Sequence, residues 1–147
     1  ADELLSRVYI LYSDSVKCIG SHELTHVLLR ENLSRKYPGE FLDEGMAELS
    51  DGTWDGKAHR EIARDFLMQS KLPRISDLRL AWEKYPDHVS YPVSAAFVAF
   101  AIEKYGLKRV QEMYISLGED SSKSLEACLH ESPDNLQKSF ETWLRKK

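Results

Sequence analysis

His22 and His26 stand four residues apart, with a carboxylate next to the first, in His22-Glu23-Leu24-Thr25-His26. On a helix, residues i and i+4 lie one above the other. Two imidazoles placed this way reach one cation at about 2.0–2.1 Å each. Glu23 projects to the neighbouring flank. A carboxylate there can take a proton from water whose pKa a metal lowers toward about 7. The pattern is HExxH, and its chemistry is metal-assisted hydrolysis.

A third ligand is expected from Leu42-Asp43-Glu44-Gly45-Met46-Ala47-Glu48. Tyr37-Pro38-Gly39 reads as a turn that folds a second helix back on the first. Glu44 and Glu48 then share a face, again at i and i+4. Glu44 completes three protein ligands and leaves a fourth position open, as a catalytic zinc requires. The expected metal set is therefore His22, His26 and Glu44, with Glu23 as general base. Glu48 is left to orient one histidine through its other ring nitrogen, with Asp51 as the alternative. Affinity order alone does not select the metal; two imidazoles, one carboxylate and an open position favour Zn2+.

The elements that must position these groups are mostly helical. Residues 7–13, RVYILYS, form the one strand candidate. Asp14 or Ser15 caps a helix running to about Arg30, with Ile19, Leu24, Val27 and Leu28 as its apolar stripe. A second helix spans about Glu40 to Leu49, with Leu42, Met46 and Leu49 on one face, and ends at Asp51-Gly52. A third runs from about Gly56 to Ser70, with Ala58, Ile62, Phe66 and Leu67 inward. Ser76 caps a short helix. Tyr91-Pro92 opens a long apolar helix that stops at Tyr105-Gly106, where Gly supplies the C′ position. Helices over about 107–117, 122–130 and 133–146 follow, the last with Ser132 as N-cap and Pro133 at its first position. The expected fold class is mainly α (α+β), with a small N-terminal β element.

Composition sets limits on the rest. The chain has 147 residues, which suits one domain over 1–147. Its hydrophobic fraction of 42%, charged fraction of 30% and net charge of -4 are those of an ordinary globular protein. No basic patch suggests a nucleic-acid partner. The run from Val93 to Ile102 is about half of the roughly 20 residues a membrane-spanning helix needs. The two cysteines, Cys18 and Cys128, form no disulfide framework and are expected as buried thiols. Cys18, one turn before His22, could instead touch the metal or join Cys128 in a bridge. His59 and His130 carry no partner pattern and are expected at the surface. Trp54, Trp82 and Trp143 are expected in the core or in a groove wall.

HExxH followed by a Glu-Gly-x-Ala-Glu helix resembles the gluzincin zinc metallopeptidases, and most closely their short, peptidase MA-like members. Phe41-Leu42-Asp43-Glu44-Gly45 is similar to that group's W-L-x-E-G. Tyr91-Pro92-Val93-Ser94-Ala95-Ala96-Phe97 is similar to its Tyr-bearing helix start, and Phe100 to Gly106 to its Tyr-Gly helix end. Leu125-Glu126-Ala127 and Trp143-Leu144 look like its tail. The resemblance covers the chain from about residue 8 onward. It implies a thermolysin-like zincin helical core, a peptide or protein substrate, and endopeptidase chemistry. It also implies Tyr91 as the donor that supports the oxyanion, with His88 as runner-up. The chain departs from the metzincins, having Leu29 and Asn32 where HExxHxxGxxH needs Gly and His. It also lacks the G-x-M-E-N segment of the aminopeptidases. Two rival readings remain: a zinc-binding domain that is non-proteolytic or latent, and a metal-free helical interaction domain. Substrate preference, oligomeric state and compartment are not legible.

Overall fold

The computed structural model describes residues 20–34 and 36–146. The strand expected at 7–13, the helix cap at Asp14 or Ser15, and Cys18 lie outside the described residues. Eight helices and one small antiparallel hairpin make up the described part. The chain is thus mainly α with a minor β component.

The long apolar run forms the centre. Helix α5, Asp87–Tyr105, buries residues on every side, among them Ser90, Val93, Ser94, Ala96, Phe97 and Phe100. A helix that is apolar all round must be enclosed. The enclosing elements are α2 (Glu40–Asp51), α3 (His59–Met68), α6 (Leu107–Glu119) and α8 (Pro133–Arg145). Phe97, Phe100 and Phe140 meet with ring centroids 5.5–5.9 Å apart, in the range of favourable aromatic pairs. Trp143 joins them and is a core residue. Helix α5 begins at Asp87, a turn earlier than expected, so Pro92 lies inside it rather than opening it. No helix among the described residues is long and apolar enough to cross a membrane.

The C-terminal expectations match closely. Ser132 caps α8 by accepting from the backbone N–H of Asn135 at 3.3 Å, and Pro133 takes the first helical position. Helix α7, Leu125–Leu129, is shorter than expected: Ser124 caps its start by accepting from the backbone N–H of Ala127, and His130 turns into the left-handed region with φ 55° at its end. Helix α4 covers Ile75–Leu80, and a 3-10 turn follows at Trp82–Lys84.

The third helix starts later than its periodicity suggested. Between α2 and α3, Thr53–Trp54 (β1) pairs with Lys57–Ala58 (β2) around Asp55-Gly56. Both turn residues have positive φ, 50° and 79°. Asp-Gly is a favoured pair for such a two-residue turn, since its twist matches that of the strands. Ala58 is consequently exposed, not inward, and the buried positions of α3 are His59 and Ala63.

Helix α1, Gly20–Asn32, packs on α2. Its packed face differs from the expected one. His26, Val27 and Leu29 are buried, whereas Leu24 and Leu28 are 48% and 50% exposed. Leu24 lies roughly 200° around the helix from both His22 and His26 at 100° per residue. One face must therefore be given up, and the histidine face is the one held against α2.

Gly45 lets α2 approach α5. A Cβ there would sit 3.1 Å from the backbone C and O and the Cβ of Ser94. Those atoms belong to the central helix and have little room to move. Gly45→Ala is expected to destabilise the protein by about 1–3 kcal/mol, as overpacking does. Urea unfolding of the two proteins measures this; an unchanged midpoint would show that the strain does not exceed the about 1 kcal/mol that alanine gains over glycine inside a helix.

Candidate metal centre

The candidate ligands come from two helices packed face to face. Glu44 Oε2 lies 3.2 Å from His22 Nε2 and 3.5 Å from His26 Nε2. Two ligands on a tetrahedral zinc, each about 2.0–2.1 Å from it, lie roughly 3.3 Å from one another. Ligand atoms of all three residues fall within 4.8 Å of one another. The donor set and its spacing fit a zinc ion. The two imidazole rings meet edge to face with centroids 4.9 Å apart, and both turn Nε2 toward Glu44 Oε2.

The outer nitrogen of each ring faces a carboxylate. His26 Nδ1 is 2.9 Å from Asp43 Oδ2. His22 Nδ1 is 3.5 Å from Glu48 Oε2 and 3.6 Å from Asp51 Oδ2. The choice posed between Glu48 and Asp51 is thus met by both, at nearly equal range. Such partners fix the tautomer and orientation of a ligating ring.

Two of these supporting groups are not evident from the sequence. Asp43 is 1% exposed. It accepts from His26, from the Tyr114 hydroxyl on α6, and at 3.4 Å from Arg30 Nη2. Its signal was only its place beside Glu44. His59 was expected at the surface, but is 4% exposed and 2.8 Å from Glu48 Oε1. It is buried because the Asp55-Gly56 hairpin delays α3 and sets His59 at its first position, against α2. His130 is exposed, as expected.

Glu23 and Tyr91 both line the cleft that holds the three ligands, together with Arg30, Tyr37 and Asp43. The cleft has a volume of about 510 Å³. The Tyr91 ring lies 6.4 Å from the His22 ring and is wedged by Trp54 at 5.6 Å and Trp82 at 5.4 Å. Both tryptophans are half-buried and stand against Tyr91 rather than lining the cleft themselves. His88 is exposed and is not among the residues lining the cleft. Cys128 is half-buried on α7 rather than fully buried.

The electrostatics follow from crowding charges in a half-buried place. Burial opposes a charge on His22, yet Glu44, Glu48 and Asp51 outweigh it and hold its pKa up at about 10. Burial likewise opposes His26, and Asp43 and Glu44 raise it to about 9. Burial pushes Glu44 upward, but the two histidines bring it down to about 2. Asp43 and Glu48 are also lowered, against burial, by their histidine partners. Burial and then the nearby carboxylates push Tyr91 up to about 12, so its hydroxyl remains a donor at neutral pH.

Comparison with known proteins found no matching family model, no matching curated protein and no matching solved structure.

Without a cation, both histidines carry protons at pH 7. Their folded pKa values exceed the unfolded value near 6.5. The stability they contribute is therefore full below about pH 6.5 and lost as pH rises through about 9 to 10. Zinc binding at pH 7 should release about two protons per ion. Calorimetry in two buffers of different ionisation enthalpy counts them; no release would mean that neutral rings already face the site. Asp43→Asn should weaken zinc binding about 10- to 100-fold, by loosening the His26 ring. A competition titration against a chelator gives the ratio, and an unchanged affinity would show that Asp43 serves packing alone.

Proposed function

We propose that this chain is a zinc-dependent peptidase that hydrolyses peptide bonds at the His22–His26–Glu44 centre. One observation carries the reading. The fold gathers a two-histidine, one-carboxylate donor set into the same open cleft as Glu23 and Tyr91. That is the combination of metal donors, base and hydrogen-bond donor that peptide hydrolysis requires. A zinc ion held there supplies Lewis acidity toward the scissile carbonyl and makes water acidic enough to attack at neutral pH.

The chain's own residues do the rest. His22, His26 and Glu44 hold the ion, and Asp43, Glu48 and Asp51 hold the two rings in register behind it. Glu23 stands on the flank of α1 beside His22, where it takes the proton of the attacking water and returns it to the leaving amine. Tyr91 keeps its proton and donates a hydrogen bond to the carbonyl oxygen as negative charge grows there. Trp54 and Trp82 fix the tyrosine ring, which limits the reorganisation needed at that moment. The half-buried setting strengthens each of these interactions relative to open water.

Zinc content and turnover test the reading together. The wild type should hold about one zinc per chain, and His22→Ala should lose it. Glu23→Gln should keep the metal and cleave no member of a mixed peptide library. Tyr91→Phe should keep the metal and lose about 10²- to 10³-fold in kcat. Zinc without cleavage of any library member would leave a non-proteolytic or latent zinc domain. No zinc in the wild type, even after adding it back, would overturn the metal centre itself.

A further inference from the structure

We propose that Arg30, backed by Tyr37, makes the metal cleft selective for peptides that carry a carboxylate within about two residues of the bond at the metal centre. The inference rests on the reading of that centre as a peptide-binding metal site. Arg30 continues the face of α1 that bears His22 and His26, at the same four-residue interval. Its Cα therefore lies about 6 Å beyond that of His26 along the helix axis. An extended peptide covers that distance in about two residues.

The side chain is held in the cleft rather than loose in solvent. Arg30 and Tyr37 both line it. The guanidinium carbon sits 4.9 Å from the centre of the Tyr37 ring. Its Nη2 reaches Asp43 Oδ2 at 3.4 Å, and the Arg30 side chain is 15% exposed. Ring and carboxylate thus fix the plane of the guanidinium before any ligand arrives. The Asp43 oxygens are committed more closely elsewhere, Oδ2 to His26 at 2.9 Å and Oδ1 to Tyr114. Arg30 Nε is buried, so an incoming carboxylate would be met by the terminal Nη donors of the fork.

Charge decides the chemistry of the ligand. Histidines aside, the charged residues lining the cleft are Glu23, Asp43, Glu44 and Arg30. Three are acids, and they would repel a second carboxylate everywhere except beside Arg30 and the metal. A basic ligand group gains nothing at Arg30. A neutral one forfeits the charge-assisted bonds, which are about twice as strong as neutral ones. The carboxylate could come from an Asp or Glu side chain or from a peptide C-terminus; the chemistry at Arg30 is the same.

The test measures binding as well as cleavage. Zinc-loaded Glu23→Gln protein is titrated with blocked hexapeptides bearing Glu, Gln or Lys at successive positions, each with a free or an amidated C-terminus. At one position near the centre, Glu should bind about 10- to 100-fold more tightly than Gln. Position-dependent gain from Glu in amidated peptides assigns a side-chain carboxylate; gain only from the free terminus assigns the C-terminus. Adding Arg30→Gln should abolish the preference while zinc content holds. If that variant loses zinc, Arg30→Lys carries the test, since it keeps the charge but not the fork and should cut the preference several-fold. Equal binding of Glu, Gln and amidated peptides, or a preference that survives both variants, overturns the inference. So does an absence of binding by any peptide. The wild type separates this from the proposed activity: preference without cleavage leaves the inference standing and the peptidase reading fallen, and cleavage without preference does the reverse.

Discussion

The packing of α1 on α2 depends on opposite charges meeting where water is scarce. Four acids of α2, Asp43, Glu44, Glu48 and Asp51, turn toward His22, His26 and His59. Ions in a half-buried place are costly unless each has a partner of opposite sign or a metal. This constraint explains the choice of face on α1. Leu24 and Leu28 stay exposed because the turn that would bury them would strand the acids. Hydrophobic burial is non-directional and loses about half of two leucines. An unpaired buried carboxylate would cost several kcal/mol each time.

The acids can be crowded on α2 because that helix has a second, apolar face. Phe41 and Leu42 enter the core, and Gly45 brings the backbone against Ser94 of α5. The helix is thus clamped from behind by packing and loaded in front with charge. The same central helix presents Tyr91 one turn from its start, between two tryptophans. Geometry at the candidate metal centre is therefore referred to one rigid body, α5, through contacts that do not themselves carry charge. A site built on helices in this way holds its groups more firmly than one built on loops.

How much of this was legible in the sequence follows from what is local. The pairs His22/His26 and Glu44/Glu48 obey a helical interval, so their shared faces could be read from spacing. So could the Gly52 and Gly106 helix ends and the Ser132 cap. Asp43 could not, because its partners come from α1 and α6, and only tertiary structure brings Tyr114 to it. His59 was misplaced for a local reason. Apolar periodicity opens the third helix at about Gly56, whereas the positive φ angles of Asp55 and Gly56 make a hairpin turn there. The stripe expected on α1 follows apolar periodicity, which counts only α1's own residues. Two histidines and a facing row of acids outvoted two leucines, and the acids lie on another segment.

Charge bookkeeping also separates the candidate metal centre from the stability of the fold. At neutral pH two imidazolium protons stand between the carboxylates when no cation is present. A divalent zinc that displaces both leaves the total charge of the cluster unchanged. Neither condition leaves the acids of α2 unpaired, so the interface between α1 and α2 has a satisfied arrangement with or without the ion. The apolar core around α5, with Phe97, Phe100, Phe140 and Trp143, involves none of the ligands. A zinc ion bound there would then not be a staple of the kind that small metal-dependent folds require. Protons and metal compete for the same two nitrogens, and the same carboxylates favour both. Affinity for such an ion would accordingly rise with pH across the range where the histidines give up their protons.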